Sequence, residues 1–289
     1  MVDHLRELGI ELDPDDVVTS AMAGAKRLAE LLWDGSEVLA VGGEGVALAL
    51  TNEGLTPVRT ADIAGRSDRE RPVAVLQGFG RDVAWTDLAE AAFAIQQGAL
   101  WVATNADSTV PTDRGIAPGN GSLVEAVRRA VAIDPEVVGK PHPPLYLRCA
   151  ERLGCAPSES LAIGDRLDTD IEGAVRTGMD SLFVLTGVNG PQDVILAGPE
   201  HRPTFLGRDL RVLHEPYEPA HVTEGEQDVV ATCGGARASV SSRAIVLGQR
   251  GSASERLRAI VAAGVHHVDG GATLPTWPDV DSWIHEGDS

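Results

Sequence analysis

Short apolar runs that alternate with helix-like segments constrain the fold of this chain more than any other feature. Each run has the length of a buried strand, and the segments between the runs carry helical apolar spacing with Ser, Thr or Asp before them and Gly after them. The predicted strands are 37–41, 73–77, 99–103, 160–163 and 181–185. The predicted helices are 17–33, 44–52, 87–97, 122–132, 144–153 and 168–177. Repeated strand–helix units of this size predict an α/β fold with a parallel sheet covered by helices.

The last part of the chain has a different character. Residues 213–227 contain several acids, two prolines and neither Lys nor Arg, which predicts a linker. Residues 228–289 follow as a small C-terminal extension, with short β-like pieces and a helix near 254–263. Gln249-Arg250-Gly251-Ser252-Ala253 lacks the glycine spacing that would hold the pyrophosphate of coenzyme A, so we interpret the extension as a structural or interaction piece.

Net charge and cysteine content exclude several classes of partner. The formal net charge of -19 argues against a nucleic-acid backbone or an anionic membrane, because both need a basic face. The three cysteines form no close pair, which is typical of reduced thiols in the cytoplasm. No apolar run approaches the roughly 20 residues of a membrane span, and the N-terminus has no apolar signal core.

The segment that carries chemistry is Leu161-Ala162-Ile163-Gly164-Asp165-Arg166-Leu167-Asp168-Thr169-Asp170-Ile171. An apolar strand leads into Asp165, and ligands of parallel sheets bind at the carboxyl ends of strands. Clustered carboxylates in such a place suit Mg²⁺. The alternative is that Asp168 and Asp170 only cap the following helix and complement its dipole. We favour the metal for Asp165 and the capping role for Asp168.

A lysine precedes this segment by 25 residues, in Gly139-Lys140-Pro141-His142-Pro143-Pro144. Lys140 is held between Gly and Pro at the start of a helix, and both the fixed cation and the helix N-terminus attract anions. A lone Gly-Lys-Pro would be weak evidence, but its combination with the acidic segment is specific. His142 is interpreted as a structural loop residue.

This pair of motifs resembles the third and fourth motifs of haloacid-dehalogenase-type (HAD) phosphatases. The branch it is most similar to carries a large cap and includes nucleotide and glycolate phosphatases, with actinobacterial glycerol 3-phosphate phosphatases closest in overall look. The likeness covers about residues 1–212 and includes four further segments: 16–21 (DVVTSA), 41–45 (VGGEG), 103–107 (ATNAD) and 115–122 (GIAPGNGS).

The resemblance implies a fold, a reaction and a set of residue roles. Residues 1–133 would be mostly an α/β cap and 134–212 the second half of a Rossmann-like HAD core, while the extension would be an acetyltransferase-like remnant. Lys140 would hold the transferring phosphoryl group. Asp165 would bind Mg²⁺, and Asp170 would orient Asp165 or a metal-bound water. The reaction would be hydrolysis of a small phosphate monoester, such as glycerol 3-phosphate or phosphoglycolate, through an aspartyl-phosphate.

Four residues of the polar loop between the predicted cap and core are candidates for lining the substrate: Asn105, Asp107, Arg114 and Asn120. The alternative for each is hydrogen bonding within a turn. The resemblance also suggests a homodimer through the cap. Gly42-Gly43-Glu44-Gly45 does not have the spacing of a dinucleotide loop, and Glu44 would repel phosphate, so we interpret it as a structural turn and set aside an oxidoreductase.

The sequence departs from the family pattern at the nucleophile. HAD phosphatases carry an apolar strand that ends in Asp-x-Asp-Gly, and this sequence contains no such motif. The stretches 13–16 (DPDD) and 265–271 (VHHVDGG) are poor substitutes, and the two histidines of the second read as surface residues. We therefore expect the chain to lack an upstream segment and to be inactive alone. The alternative is a genuine non-catalytic protein that binds a phosphorylated ligand or a partner.

Overall fold

The computed structural model describes residues 2–63, 65–66 and 71–277, and it consists of two compact units. The first unit ends at Cys155 and the second begins at Ala156. Each contains a parallel sheet with helices, so the predicted α/β class is confirmed. The predicted boundaries of a cap, a half-core and an extension stay predictions. Among the described residues, no helix is both long enough and apolar enough to cross a membrane.

The first unit is built on a five-stranded parallel sheet in the order β2-β1-β3-β4-β7. A two-stranded antiparallel hairpin, β5–β6, accompanies it. The strands are β1 (Glu37–Val41), β2 (Thr56–Val58), β3 (Ala74–Gln77), β4 (Leu100–Ala103), β5 (Thr109–Thr112), β6 (Gly115–Pro118) and β7 (Glu136–Val137). The helices are α1 (Val2–Glu7), α2 (Ser20–Leu31), α3 (Glu44–Asn52), α4 (Thr60–Ile63), α5 (Trp85–Gln96), α6 (Asn120–Val131) and α7 (Pro143–Leu153).

Both faces of the five-stranded sheet are covered by apolar side chains. Neighbouring residues of a strand point to opposite faces, so Val75 and Leu76 of β3 belong to two different buried clusters. Helix α2 begins after Thr19, whose hydroxyl accepts a hydrogen bond from Met22 N at 3.3 Å. Gly24 lets α2 approach the sheet, because a β-carbon there would lie 2.6 Å from Leu76 Cδ1.

The hairpin β5–β6 is the main element of this unit that the sequence did not predict. It occupies part of the segment that was interpreted as a polar loop, and its register pairs Thr109 with Pro118 and Thr112 with Gly115. Most of its side chains are exposed. Short exposed strands lack the apolar run by which buried strands are recognised, so the pattern gave no signal for them.

The second unit contains a three-stranded parallel sheet, β10-β9-β8, and a four-stranded antiparallel sheet, β11-β12-β13-β14. The strands are β8 (Leu161–Gly164), β9 (Asp180–Val184), β10 (Phe205–Gly207), β11 (His221–Glu224), β12 (Asp228–Cys233), β13 (Ala236–Ser241) and β14 (Ile245–Leu247). The helices are α8 (Glu172–Thr177), α9 (Pro191–Leu196) and α10 (Ala253–Asp269). A single π-helical turn, Leu167–Ile171, joins β8 to α8, where one helix from 168 to 177 was predicted.

The C-terminal extension packs into the second unit. Helix α10 shares one buried cluster with β9 and α9, which includes Phe183, Ile195 and Ile260. Gly264 of α10 lies so close to α9 that a β-carbon there would be 2.6 Å from Ile195 Cδ1. Strand β11 lies inside the segment predicted as a linker, so that prediction is wrong for residues 221–224. Residues 278–289 of the predicted extension lie outside the described residues.

Candidate functional site

Asp165 lies directly after β8, at the carboxyl end of the three-stranded sheet, as the sequence predicted. Its Oδ2 atom accepts a hydrogen bond from Val188 N at 3.1 Å, and its backbone oxygen accepts one from Asn189 N at 3.4 Å. Among the described residues no hydrogen bond engages Oδ1. The carboxylate is therefore fixed through one oxygen, while the second oxygen is available to a cation.

The loop that follows β9 holds this carboxylate, and no motif in the sequence predicted this contact. Gly187 lies against Asp165, because a β-carbon at position 187 would be 1.7 Å from Asp165 Oδ2. The side chain of Asn189 then accepts a hydrogen bond from Leu167 N at 3.0 Å, which ties this loop to the turn after Asp165. The sequence signal for this contact was Gly187 itself, a glycine after the carboxyl end of a strand that neighbours β8.

Asp170 lies behind the same turn and is 9% exposed. Its Oδ2 atom accepts a hydrogen bond from Arg166 N at 3.1 Å. Gly164 permits this arrangement, since a β-carbon there would lie 2.2 Å from the β-carbon of Asp170. Asp170 therefore supports the turn that presents Asp165, which favours the orienting role that the resemblance implied over a direct metal contact.

Asp168 is engaged by a cation of the chain itself. Arg166 donates hydrogen bonds to both of its oxygens, at 3.1 Å and 2.7 Å. This hydrogen-bonded guanidinium is the main reason why the pKa of the Asp168 carboxyl lies below its ordinary value of 3.8. The pairing fits the preference for a role of Asp168 outside the metal site.

The donor atoms around Asp165 fit Mg²⁺ by type, because Mg²⁺ prefers oxygen ligands. In the part of the chain that the structure describes, no group of three or more His, Cys, Asp or Glu side chains could hold a metal ion. Asp165 thus offers one carboxylate, supported by Asp170. Mg²⁺ commonly keeps several waters and completes its shell with substrate phosphate, so these residues can hold the ion in that way.

Lys140 lies in the first unit, in the loop between β7 and α7, and is exposed. Strand β7 pairs with β4, so the two strands end side by side at the same edge of the sheet. Gly139 packs on the segment after β4, because a β-carbon there would be 2.2 Å from Thr104 O and 3.2 Å from Asn105 Cβ. Lys140 therefore follows a backbone position that is fixed beside Asn105.

The four candidate substrate-lining residues separate into three groups. Asn105 Nδ2 donates to Asp107 Oδ2 at 2.8 Å, and this pair lies beside the Lys140 loop. Arg114 lies in the exposed turn of the β5–β6 hairpin, where its backbone N donates to Thr112 Oγ1 at 3.3 Å. Asn120, which was expected to line the substrate, is instead 1% exposed. Its Nδ2 donates to Gln77 O at 3.3 Å and Asn105 O at 2.9 Å, so it fixes the loop after β4 to the end of β3.

The two stretches considered as substitutes for the nucleophile are occupied otherwise. Asp15 Oδ1 accepts hydrogen bonds from Arg152 at 2.9 Å and 3.0 Å. Asp269 forms an ion pair with Arg202, with an Nη1–Oδ2 distance of 2.7 Å. Asp15 lies within the 3-10 helical turn Pro14–Asp16 and Asp269 is the last residue of α10, so neither acid follows a strand.

The histidines at the end of α10 differ from each other. His266 is partly exposed, and its Nε2 lies 2.7 Å from Glu224 Oε1. His267 is 8% exposed and contacts Thr273 O at 3.3 Å, so its interpretation as a surface residue is wrong. His267 lies on the buried face of α10 together with Ala263 and Gly264, which the short sequence pattern did not show.

The segment Gly42-Gly43-Glu44-Gly45 forms a close contact between two loops. Gly42 has a φ of +133°, and a β-carbon there would lie 2.8 Å from Gly78 O. Gly43 N donates to Phe79 O at 3.1 Å. These contacts agree with the interpretation of this segment as a structural turn.

Comparisons with known proteins show which family this chain resembles. A family model described as HAD-hydrolase-like matches residues 137–213. The D-glycerol 3-phosphate phosphatase of Mycobacterium tuberculosis is 50% identical over 212 residues, which are 73% of this chain and 58% of that protein. The chain thus spans less than two thirds of that relative's length.

A further relative and a solved structure are matched over larger shares of their length. The acid sugar phosphatase of Staphylococcus epidermidis is 34% identical over 212 residues, which are 73% of this chain and 77% of that protein. The crystal structure of the M. tuberculosis glycerol phosphate phosphatase in complex with magnesium matches with a TM-score of 0.74 at 42% identity, covering 91% of this chain and 76% of that one. Both the sequence and the fold therefore lead to one assignment: this chain belongs to the HAD-like hydrolases, and the relatives it resembles are phosphatases.

Proposed function

We propose that this chain supplies the phosphate- and metal-binding parts of a Mg²⁺-dependent phosphatase that acts on small phosphate monoesters. The observation that carries the proposal is the position of Asp165 at the carboxyl end of β8, with Oδ2 held by Val188 N and Oδ1 without a hydrogen bond among the described residues. The M. tuberculosis relative, whose name states a glycerol 3-phosphate activity, supports glycerol 3-phosphate as the first substrate to test.

The proposed chemistry assigns one task to each residue. Mg²⁺, when bound, would neutralise charge on the phosphoryl oxygens. Asp165 would hold the ion through its carboxylate, and Asp170 would keep the Gly164–Arg166 turn in place through its bond to Arg166 N. Lys140 would place its ammonium on the phosphoryl group and stabilise the charge that develops there. Asn105, Asp107 and Arg114 remain proposals for substrate contact.

Two versions of this proposal differ in whether a nucleophile is present. The sequence contains no Asp-x-Asp-Gly, so we propose that turnover needs such a strand to be supplied to the chain. The second candidate is a protein that binds a phosphorylated ligand without turnover, and the same absence favours it. A homodimer through the cap and a cytoplasmic location also remain proposals, and the three cysteines are free thiols, which fits the latter.

A chimera separates the two versions. An apolar strand that ends in Asp-x-Asp-Gly, followed by the Thr-Asn-Asn-like stretch of a family member, is joined in front of this chain. Phosphate release is then measured with glycerol 3-phosphate, phosphoglycolate, a sugar phosphate and a phosphoprotein. Mg²⁺-dependent release from a small ester, lost in Asp165→Asn and strongly reduced in Lys140→Ala, supports the phosphatase. Preference for the phosphoprotein would refute the proposed substrate class.

Ligand binding by the chain itself tests the second candidate. Inorganic phosphate and glycerol 3-phosphate are titrated into the chain by calorimetry, with Lys140→Ala as the matched variant. Binding by the chain that is weakened in Lys140→Ala, together with a chimera that releases no phosphate, would establish a binding protein. Hydrolysis by the unmodified chain would show that it contains its own nucleophile, and Asp13, Asp15 and Asp269 would be tested first.

A further inference from the structure

We propose that Asn189 is a positioning residue that holds the carboxylate of Asp165 in place, an inference that rests on the proposed function of Asp165. Asn189 lies in the loop after β9. It is 22 positions further along the chain than Leu167, whose backbone N–H donates a hydrogen bond to its side chain. It is half-buried, and no motif of the sequence analysis includes it.

Three hydrogen bonds join the loop 187–190 to the turn 165–167. The loop donates two of them through its backbone: Val188 N to Asp165 Oδ2 at 3.1 Å, and Asn189 N to Asp165 O at 3.4 Å. The third runs in the opposite direction, from Leu167 N to Asn189 Oδ1 at 3.0 Å. Of these three bonds, the third depends on the side chain of Asn189. A substitution at position 189 therefore removes it without changing Asp165.

The orientation of the Asn189 amide is fixed from both sides. Its Nδ2 faces the carboxylate of Asp193, with a distance of 3.4 Å to Oδ2, and a carboxylate can only accept. Its Oδ1 faces the Leu167 amide, which can only donate. A reversed amide would place donor against donor and acceptor against acceptor, so the side chain has one productive orientation.

The Leu167 amide needs this partner because of where it lies. It is the first residue of the π-helical turn, and the N–H groups of a helix's first turn have no partner within the helix. Asn189 satisfies this group and thereby anchors the start of the turn that leads from Asp165 to Asp170. Side chains that hold a metal ligand from behind commonly change metal affinity by about 10- to 100-fold when they are removed.

The test uses amide hydrogen exchange of the full chain, resolved residue by residue by NMR, in wild type and Asn189→Ala. The Leu167 amide loses its acceptor in this variant whatever the role of Asn189. The Val188 amide is the informative one, because it bonds to the carboxylate of Asp165 and not to Asn189. We expect its exchange to become faster by about tenfold or more, as the carboxylate moves away. Unchanged exchange at Val188, with faster exchange at Leu167, would overturn the proposal.

Two further variants give the comparison its controls. Asn189→Asp combined with Asp193→Asn keeps an acceptor for Leu167 N and exchanges donor and acceptor between positions 189 and 193, so we expect exchange at Val188 to stay near the wild-type rate, and failure of this rescue would count against the positioning role. Ser252→Ala removes a bond of similar kind at the start of α10, from Glu255 N to Ser252 Oγ at 3.2 Å, and should leave Val188 unaffected. Faster Val188 exchange in this control would mean general loosening, and would also overturn the proposal.

Metal binding is measured separately, so that the two ideas can fail separately. MgCl₂ is titrated into wild type, Asn189→Ala and Asp165→Asn by calorimetry. If Asp165→Asn binds Mg²⁺ as wild type does, the proposed role of Asp165 is wrong, whatever the exchange data show. If Asp165→Asn loses Mg²⁺ and Asn189→Ala binds it about tenfold or more weakly, both hold. Wild-type affinity in Asn189→Ala would refute the positioning role alone.

Discussion

Gly187 lies against the carboxylate of Asp165 so closely that a β-carbon at position 187 would fall 1.7 Å from Oδ2. The two residues are at the carboxyl ends of neighbouring parallel strands, β9 and β8. No side chain fits between them, because atoms that are not bonded cannot approach to that distance. The position of the Asp165 carboxylate therefore depends on a glycine that precedes the Val188 and Asn189 contacts.

The first prediction is that Gly187→Ala displaces the Asp165 carboxylate and weakens Mg²⁺ binding by at least about tenfold. We expect a stability loss of about 1–3 kcal/mol as well, because the loop must move to accommodate the methyl group. Calorimetric titration with MgCl₂ and urea unfolding measure the two effects.

Gly190→Ala is the matched control for this prediction. A β-carbon at Gly190 would meet no heavy atom within 4 Å, and its φ of −109° is open to any residue. Mg²⁺ affinity should therefore stay unchanged in Gly190→Ala. Equal weakening in both variants would show that the loop responds to any added methyl group, and the specific contact with Asp165 would lose its support.

A second prediction concerns pH and the pair formed by Asp168 and Arg166. The pKa of the Asp168 carboxyl is lowered in the folded chain, chiefly by its hydrogen bonds from Arg166. Its contribution to stability is therefore present above the ordinary pKa of 3.8 and is lost as the pH falls through the lower, folded value. The Asp168 side chain is 61% exposed, so the contribution is small and screened by salt.

The measurement compares unfolding of wild type and Asp168→Asn as a function of pH. We expect wild type to be the more stable of the two near neutral pH and the difference to disappear at low pH. Mg²⁺ affinity should be the same in both at neutral pH, in contrast to Asp165→Asn. A large loss of Mg²⁺ binding in Asp168→Asn would mean that Asp168 is part of the metal site and does more than pair with Arg166.

A third prediction concerns the buried amide of Asn120 in the first unit. Its Nδ2 bonds to Gln77 O and Asn105 O, which joins the end of β3 to the loop after β4. Asn120→Ala should cost about 2 kcal/mol, because half-buried Asn105 O loses its donor and buried Gln77 O keeps only the bond from Thr104 N. Urea unfolding of the full chain measures this cost.

Ser122→Ala serves as the comparison for Asn120→Ala. Ser122 lies in the same first turn of α6 and donates to Ser108 O at 2.6 Å in a more exposed setting. Its loss should cost less than about 1 kcal/mol. If the two variants are equally stable, the burial of Asn120 does not make its hydrogen bonds contribute more to stability than the bond of Ser122.

The sequence predicted those elements whose signals are local. The bounds of β1 and α3 match the prediction, because an apolar run ended by glycines marks the strand and helical spacing ended by Gly54 marks the helix. The place of Asp165 after β8 followed from the same kind of signal. Strand β11 and the hairpin β5–β6 were missed, because short exposed strands are defined by their partners and not by their own residues.

The candidate site divides in the same way. Asp165, Asp170 and Lys140 belong to motifs that are contiguous in the sequence. Gly187 and Asn189 act on Asp165 from another strand, and neither has a local pattern that specifies its partner. Only the parallel pairing of β8 with β9 brings these positions together. Residues that hold a site from a neighbouring strand are therefore harder to predict than the residues that carry the chemistry.

The last prediction concerns Arg258, which joins the C-terminal extension to β10. Arg258 is 4% exposed. Its Nε donates to Leu206 O at 3.2 Å, its Nη1 donates to Glu218 O at 3.3 Å, and its guanidinium lies 3.9 Å from the ring centre of Tyr217. Tyr217 in turn packs edge-to-face on Phe205 of β10, with 5.0 Å between the ring centres.

Replacing Arg258 by Met keeps most of the side-chain length but removes both hydrogen bonds and the contact with the ring. We expect a loss of about 3 kcal/mol, since charged hydrogen bonds contribute about 1.5–3 kcal/mol each and part of this is offset by the desolvation of the guanidinium. Arg237→Met is the control, because Arg237 is exposed on β13, and it should change stability by less than about 0.5 kcal/mol. Urea unfolding followed by circular dichroism compares the two. If Arg258→Met is as stable as Arg237→Met, the extension does not depend on this contact, and its packing comes from the apolar residues of α10, β12 and β13.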